Sequence, residues 1–260
     1  MAEERTDNKH MKLLFLGTGT STGIPQIGCQ CKTCQSSDRK DKRLRASLLV
    51  NVQKTNILID AGPDLREQLL TYQISKLSGI LLTHEHYDHI GGIDDLRPLG
   101  ESYLYAEKRV LNIIQKNMPY CFGDNLYPGV PMLQLHEITE KSKFYIDQVE
   151  IQAVRVMHAK LPILGFRIGN IAYLTDVKTL DNKAIEQLQY LDLLVINALR
   201  QFPHISHLSL QEAIELSEKI NAKETYFTHI SHDMGKHADV EAHLPSHIHL
   251  AYDGLEIEIN

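Results

Sequence analysis

Several large classes are excluded by what this sequence lacks. No apolar run approaches the roughly 18 residues needed to cross a bilayer, which argues against a membrane partner. No basic excess advertises nucleic acid: 27 Lys and Arg stand against 33 Asp and Glu, a formal charge of -6. The opening residues, MAEERTDNKH, are polar and mixed in charge and have no apolar stretch such as a secretory signal needs. They read as a polar extension over residues 1–10, and the protein reads as cytoplasmic. Neither an internal repeat nor a low-complexity tract nor a linker is visible, which leaves one domain over residues 11–260. Cysteine is scarce, with four residues, three of them at positions 29, 31 and 34. In a reducing compartment that spacing suits metal ligation better than disulfides, while Cys121 stands alone as a buried or loop thiol. Histidine, by contrast, is abundant, at 14.

Short apolar runs ended by Gly, Thr or charged residues predict strands at Met11–Leu16, Ser47–Val52, Asn56–Asp60, Gly79–Thr83, Ser102–Tyr105, Met132–Glu137, Val149–Met157, Phe166–Ile168, Ile171–Thr175, Asp192–Asn197 and Glu224–Thr228. Helical spacing predicts helices at about 63–71, 107–117, 180–189 and 209–220, the last opened by Ser209 and Glu212 at capping-box spacing. Strands and helices mix without strict alternation, so a layered α/β sandwich fits better than a doubly wound sheet or a barrel. Residues 116–131 are dense in Pro, Gly and aromatics and read as an irregular insertion or a lid.

Chemistry concentrates where strands end. Thr83-His84-Glu85-His86-Tyr87-Asp88-His89 follows the apolar Ile80-Leu81-Leu82, so three imidazoles and a carboxylate cluster at one tip. His158, Asp176 and His229 each follow another apolar strand. A rigid sheet delivering such donors to a common edge is a means of fixing metal geometry while loops stay open to substrate, and the donor types suit Zn, Mn or Fe. Near the first strand, Cys29, Cys31 and Cys34 are close enough to share one ion, and a structural zinc usually takes four ligands. His232 is the candidate fourth.

On these residues the chain resembles the metallo-β-lactamase superfamily of hydrolases, whose HxHxDH motif is matched by His84, His86, Asp88 and His89. The resemblance implies a four-layer αββα sandwich with a binuclear site: His84, His86 and His158 on one divalent ion, Asp88, His89 and His229 on the other, and Asp176 bridging. Asp60 would support the site from behind the ligands. The three-Cys-plus-His zinc and His207, which precedes the capped helix, are similar to those of the PhnP-type phosphoribosyl 1,2-cyclic phosphate phosphodiesterases. That likeness implies one structural zinc, His207 as proton donor, and a homodimer.

The function expected is therefore hydrolysis of a small cyclic or linear phosphodiester by two divalent ions, Zn or Mn with Fe as a third choice. Hydroxide between the ions would attack phosphorus, and His207 would protonate the departing alkoxide. His204 competes locally with His207 for that role. Arg200, Lys160 and Tyr127 are substrate candidates by position alone. A tRNA 3′-end processing nuclease shares the metal motif but is disfavoured by the charge. Thioester, lactone or lactam hydrolysis leaves the Cys cluster and His207 unexplained. A non-catalytic metal- or nucleotide-binding sensor would leave the complete ligand set without chemistry.

Overall fold

The structure, a computed structural model, describes residues 10–123 and 128–259. In β1 (Met11–Gly17) successive side chains point to opposite faces, so Leu13 and Phe15 enter one core and Leu14 and Leu16 another. β1 pairs antiparallel with β2 (Ser47–Val52), and β2 with β3 (Thr55–Ile59). The sheet then continues in parallel through β4 (Gly79–Leu81), β5 (Glu101–Ala106) and β6 (Met132–Glu137). A second sheet repeats the plan. β7 (Lys143–Ile146), β8 (Val149–His158), β9 (Leu161–Ile168) and β10 (Ile171–Leu174) run antiparallel. β11 (Leu193–Asn197), β12 (Glu224–Thr228) and β13 (Ile248–Leu250) extend β10 in parallel, and β14 (Glu256–Ile259) returns to lie beside β1. Among the described residues each sheet has seven strands, ordered β14-β1-β2-β3-β4-β5-β6 and β13-β12-β11-β10-β9-β8-β7.

Three apolar layers hold these sheets. Between them lie Leu13, Phe15, Val50 and Ile57 of the first and Ile151, Phe166, Tyr173 and Val195 of the second. Full burial of each such side chain is worth roughly 1.5–3 kcal/mol. Outside the first sheet, α1 (Leu65–Thr71) and α3 (Lys108–Asn117) press Leu65, Leu69, Val110 and Ile114 onto Leu14, Leu58 and Ile80, while the one-turn α2 (Tyr87–Ile90) follows β4. Outside the second, α4 (Asn182–Gln187) and α5 (Leu210–Ile220) do the same with Ala184, Ala213 and Ile220. The predicted αββα sandwich is the observed fold. α5 begins as the sequence indicates: the Glu212 N–H donates to Ser209 Oγ at 3.4 Å and the Ser209 N–H to Glu212 Oε2 at 2.8 Å.

Three strands are absent from the sequence reading, β7, β13 and β14, and all three are sheet edges. They are three or four residues long and pair on one side only, so their hydrophobic signal is short and diluted by Lys, Glu and His. The predicted strand at Phe166–Ile168 is longer, starting at Leu161. No helix of the described residues is long and apolar enough to cross a membrane. Residues 1–9 of the polar extension and Tyr127 lie outside the described residues. In the neighbouring part of the 116–131 segment, Tyr120 Oη donates to Asp94 at 2.7 Å and Gly129 O accepts from Arg97 at 3.4 Å, so this segment docks on residues 93–99.

Candidate active site

Three strand tips at this edge end alike. Asp60 follows β3, Asp176 stands two residues beyond β10 and His229 follows β12; their φ angles are 63°, 56° and 55°. Left-handed backbone costs a non-glycine residue on the order of 1–3 kcal/mol, and the surrounding structure must hold it in place. Part of that hold is close backbone packing. The Ala61 N–H donates to His89 O at 2.8 Å and the Gly92 N–H to Ala61 O at 2.9 Å. A Cβ on Gly62 would stand 2.1 Å from Asp88 O, so only glycine lets the loop after β3 pass beneath the His84–His89 segment.

The seven candidate ligands, His84, His86, Asp88, His89, His158, Asp176 and His229, converge on this edge. Ligand atoms of His84, His89 and Asp176, of His86, His158 and Asp176, and of Asp88, His89 and His229 lie within 4.8 Å of one another in each set. Asp176 is shared, as the resemblance implies for a bridging group. His84 touches both halves, its ring centroid 4.5 Å from that of His86 and 4.2 Å from that of His89.

Hydrogen bonds behind the rings decide which nitrogen faces inward. His89 Nδ1 donates to Asp60 Oδ2 at 2.7 Å, and His158 Nδ1 lies 3.0 Å from Asp176 O and 2.9 Å from Ser206 O. Thr83 Oγ1 donates to Asp60 at 3.0 Å and accepts from His84 Nδ1 at 2.9 Å. In their neutral form all three rings therefore turn a bare Nε2 to the site. The Nε2 atoms of His84 and His89 are buried without a hydrogen-bond partner. His89 Nε2 stands 3.2 Å from both Asp88 Oδ2 and Asp176 Oδ2, and His229 Nε2 is 3.4 and 3.3 Å from the same oxygens. With neutral rings, lone pairs would face lone pairs at these distances and repel, and a proton or a metal cation between them removes that repulsion. Two ligands about 2.1 Å from one tetrahedral ion would be about 3.4 Å apart, so these residues fit a divalent metal.

The electrostatics agree. Burial pushes His84 well below its ordinary value. Burial also opposes charge on His89, but Asp60, Asp176 and Asp88 more than offset it and hold this imidazole well above the usual range. Asp88 and Asp176 are held well below the carboxylate range, burial notwithstanding, by His89 and His229. The centre of the cluster favours positive charge.

His207 borders it. Its Nε2 is 2.8 Å from Asp176 Oδ1, and its ring stacks on His229 with centroids 5.1 Å apart. Burial, only partly offset by Asp176, pushes the imidazole down to about 4. His204 lies behind His207, the two Nδ1 atoms 3.1 Å apart, with Ser206 Oγ 3.0 Å from His207 Nδ1. His204 thus supports His207 and is not its rival for Asp176. Arg200, a substrate candidate by position, has two nitrogens on its own loop: Nε donates to Phe202 O at 3.2 Å and Nη2 to Pro203 O at 2.8 Å, and the guanidinium lies over the Phe202 ring. Lys160 is exposed two residues past His158.

The cysteines gather as well. Cys29, Cys31 and Cys34 Sγ stand 3.1, 3.5 and 3.6 Å from His232 Nδ1. A tetrahedral zinc with S at 2.3 Å and N at about 2.1 Å would separate them by about 3.6 Å. The Cys34 N–H, 3.4 Å from Cys31 Sγ, lowers that thiol to about 6, whereas burial pushes Cys34 up to about 11.

The family description of a β-lactamase superfamily domain matches residues 55–230. An octanoyltransferase of Porphyromonas gingivalis is 44% identical over 255 residues, 96% of this chain and 52% of that protein. Coenzyme PQQ synthesis protein B of Rhodopseudomonas palustris is 32% identical over 120 residues, 41% of this chain and 39% of that one. The chain thus spans about half or less of the length of these curated relatives. A diphosphatase of the PhnP family superposes with a TM-score of 0.90 at 38% identity, covering 96% of this chain and 97% of that structure. Zn²⁺-bound PqqB of Methylobacterium extorquens, at 20% identity, shares the fold with a TM-score of 0.77 over 95% of this chain and 99% of that one. With its sandwich, its HxHxDH motif and these likenesses, the chain belongs to the metallo-β-lactamase superfamily of hydrolases and resembles its PhnP family.

Proposed function

We propose that this protein is a binuclear metal-dependent phosphodiesterase acting on a small cyclic or linear diester of the phosphoribosyl cyclic phosphate kind. The observation that carries this reading is His207 placed 2.8 Å from Asp176, beside seven converging ligands. His84, His86 and His158, then Asp88, His89 and His229, with Asp176 between, would hold two divalent ions, and the Cys₃His cluster one zinc. Bound there, the ions would supply Lewis acidity, activating water near neutral pH and drawing charge from phosphoryl oxygens.

The chain's own residues do the rest. Asp60 and Thr83 fix the tautomers of His89 and His84, and the carbonyls of Asp176 and Ser206 fix that of His158. With its pKa near 4, His207 is neutral in the free protein at pH 7. An anionic diester beside it raises its proton affinity, and the imidazolium then protonates the departing oxygen. The substrate is a small molecule; the charge of -6 gives no grip for a nucleic acid.

Hydrolysis of a diphosphate is the second reading, favoured by the name of the 38% identical PhnP-family structure. The two differ in leaving group, since a sugar alkoxide needs a proton at departure and a phosphate does not. On an alkoxide-leaving diester, His207→Ala should lower kcat about 10²- to 10⁴-fold with metal content unchanged. On bis(p-nitrophenyl) phosphate, whose leaving group needs no acid, the loss should be small. Wild-type turnover of the alkoxide ester by H207A would overturn the assigned role, and turnover of diphosphates but no diester would select the second reading. Octanoyl transfer is named for a relative about twice as long as the matched region, and an octanoyl thioester in the same panel tests it here.

A further inference from the structure

A chain of alternating charges runs beside the metal-ligand edge and belongs to neither metal site. Glu85, between the candidate ligands His84 and His86, is paired with Arg109 at the start of α3. Arg109 lies 3.7 Å from Glu107; Glu107 accepts from Arg155 of β8 at 2.6 Å; and Arg155 reaches Glu140 at 3.0 Å. Both arginines also hold the backbone of β9: Arg109 donates to Pro162 O at 2.8 Å and Arg155 to Ile163 O at 3.2 Å. At the same corner the Leu164 N–H donates to Thr83 O at 3.1 Å.

The placement matters because the ligands on either side come from different sheets. His84 and His86 follow β4 of the first sheet, whereas His158 ends β8 of the second and pairs across the hairpin with Leu161. Their rings are 5.7 and 5.2 Å apart, with no covalent connection nearer than the chain between them. Ligand geometry tolerates errors of only about 0.5 Å, so something must fix one sheet edge against the other there. A guanidinium is suited to it: its fork grips a carboxylate on one sheet and a carbonyl on the other at once, which a lysine cannot do. The other half of the site is braced elsewhere: Asp88 and His89 by the loop after β3 and by Asp60, and the tip that carries His229 by the backbone bonds of Ile230 to Thr18 and Thr20.

We infer that Arg109, with Glu85 and the Glu107–Arg155 pair behind it, is a positioning residue that sets the distance between His84/His86 and His158, and so tunes one metal position selectively. This rests on the binuclear reading above. The test is a metal titration of the full chain, by competition with a chelator, for wild type, R109A, R109K and E85Q. K223A, which breaks the Lys223–Asp192 pair of 2.6 Å, is the control for lost stability. A wild type that binds a single ion in the His/Asp cluster refutes the binuclear reading itself, whatever the variants do. Given two ions in the wild type, R109A should weaken one by about 10- to 100-fold and leave the other within about 2-fold. R109K and E85Q should fall between, and K223A should match wild type in both. Cobalt-loaded R109A should show a changed visible spectrum for one ion only. Unchanged affinity in R109A, or equal weakening of both ions, would overturn the inference. Should R109A not fold, R109K and E85Q carry the same test, with selective weakening expected and its absence decisive against it.

Discussion

Replacing Asp60 by Asn tests the logic of the site with a change of one atom. Asp60 is fully buried and accepts from Thr83 N at 2.9 Å, Thr83 Oγ1 at 3.0 Å and His89 Nδ1 at 2.7 Å. All three partners need an acceptor, and an amide offers one acceptor and one donor. If the Asn oxygen serves Thr83, its NH₂ meets His89 Nδ1. The imidazole must then move its hydrogen to Nε2, where it points at Asp88 and Asp176 and blocks ligation. If the oxygen serves His89, the NH₂ faces the Thr83 N–H. The second arrangement buries a donor–donor mismatch costing about 1–3 kcal/mol, or roughly 2–12 °C in Tm for a chain of this size, whereas the first satisfies the amide but closes Nε2 to metal. The metal position that uses His89 should lose about 10- to 100-fold in affinity. At saturating metal the wild type gains RT ln(1 + [L]/Kd), so a 100-fold weaker site forfeits about 2.7 kcal/mol of that gain. Thermal unfolding with and without chelator, alongside metal content after dialysis, measures both. A D60N protein with wild-type metal affinity and an unchanged difference between loaded and stripped Tm would refute the account of tautomer control.

Two further outcomes follow from residues outside that pair. His232→Ala leaves three thiolates without their imidazole, so zinc should pass to a colorimetric chelator with an affinity loss of 10-fold or more, and unchanged zinc retention would remove His232 from that site. Asp253 is raised to about 6 by burial, although Leu44 N–H and Thr18 Oγ1 donate to it at 2.6 and 2.7 Å. Its folded value lies above its unfolded 3.8, so the folded state holds the proton more tightly, and stability contributed by this group is full below about 4 and lost as pH rises to about 6. The swing is on the order of 3 kcal/mol. D253N should be less stable overall yet lack that slope, and an identical pH dependence of the two unfolding curves would exclude Asp253 as its source.

What was legible in the sequence follows from how strongly each feature constrains residue type. The strands buried on both faces are continuous Leu, Ile and Val runs, and their tips carry His or Asp in places where a solvated loop has no need of them. Hence His84, His86, Asp88, His89, His158, Asp176 and His229 could be picked out, and so could Ser209 with Glu212, whose chemistry is local. Edge strands such as Glu256–Ile259 have one buried face and one neighbour, which leaves four residues of weak alternation. The supporting contacts were not legible either. Nothing in the sequence separation of Glu85, Arg109 and Pro162 signals that the Arg109 guanidinium joins the other two, because that depends on how two sheets meet. Arg200 shows the converse: it is close in sequence to His204 and His207, but nothing in that closeness signals that its Nε and Nη2 donate to carbonyls of its own loop.

The division of ligands between sheets also explains why so much of the chain guards one edge. His84, His86, Asp88 and His89 belong to the first sheet, and His158, Asp176 and His229 to the second, so any ion held among them is a cross-link of the sandwich. Its binding energy is then stability of that edge. The edge must nevertheless keep its shape before metal arrives, or the site would have to be built during binding at a cost in affinity. The Leu164–Thr83 bond and the Arg109 fork close one side of it. On the other side the Cys₃His cluster fixes His232, three residues from His229, while Ile230 between them donates to Thr18 O at 2.9 Å and accepts from Thr20 N at 3.0 Å. A zinc there would brace the tip of β12 from behind, which gives the cysteine loop a part in ligand geometry although none of its residues reaches the His/Asp cluster.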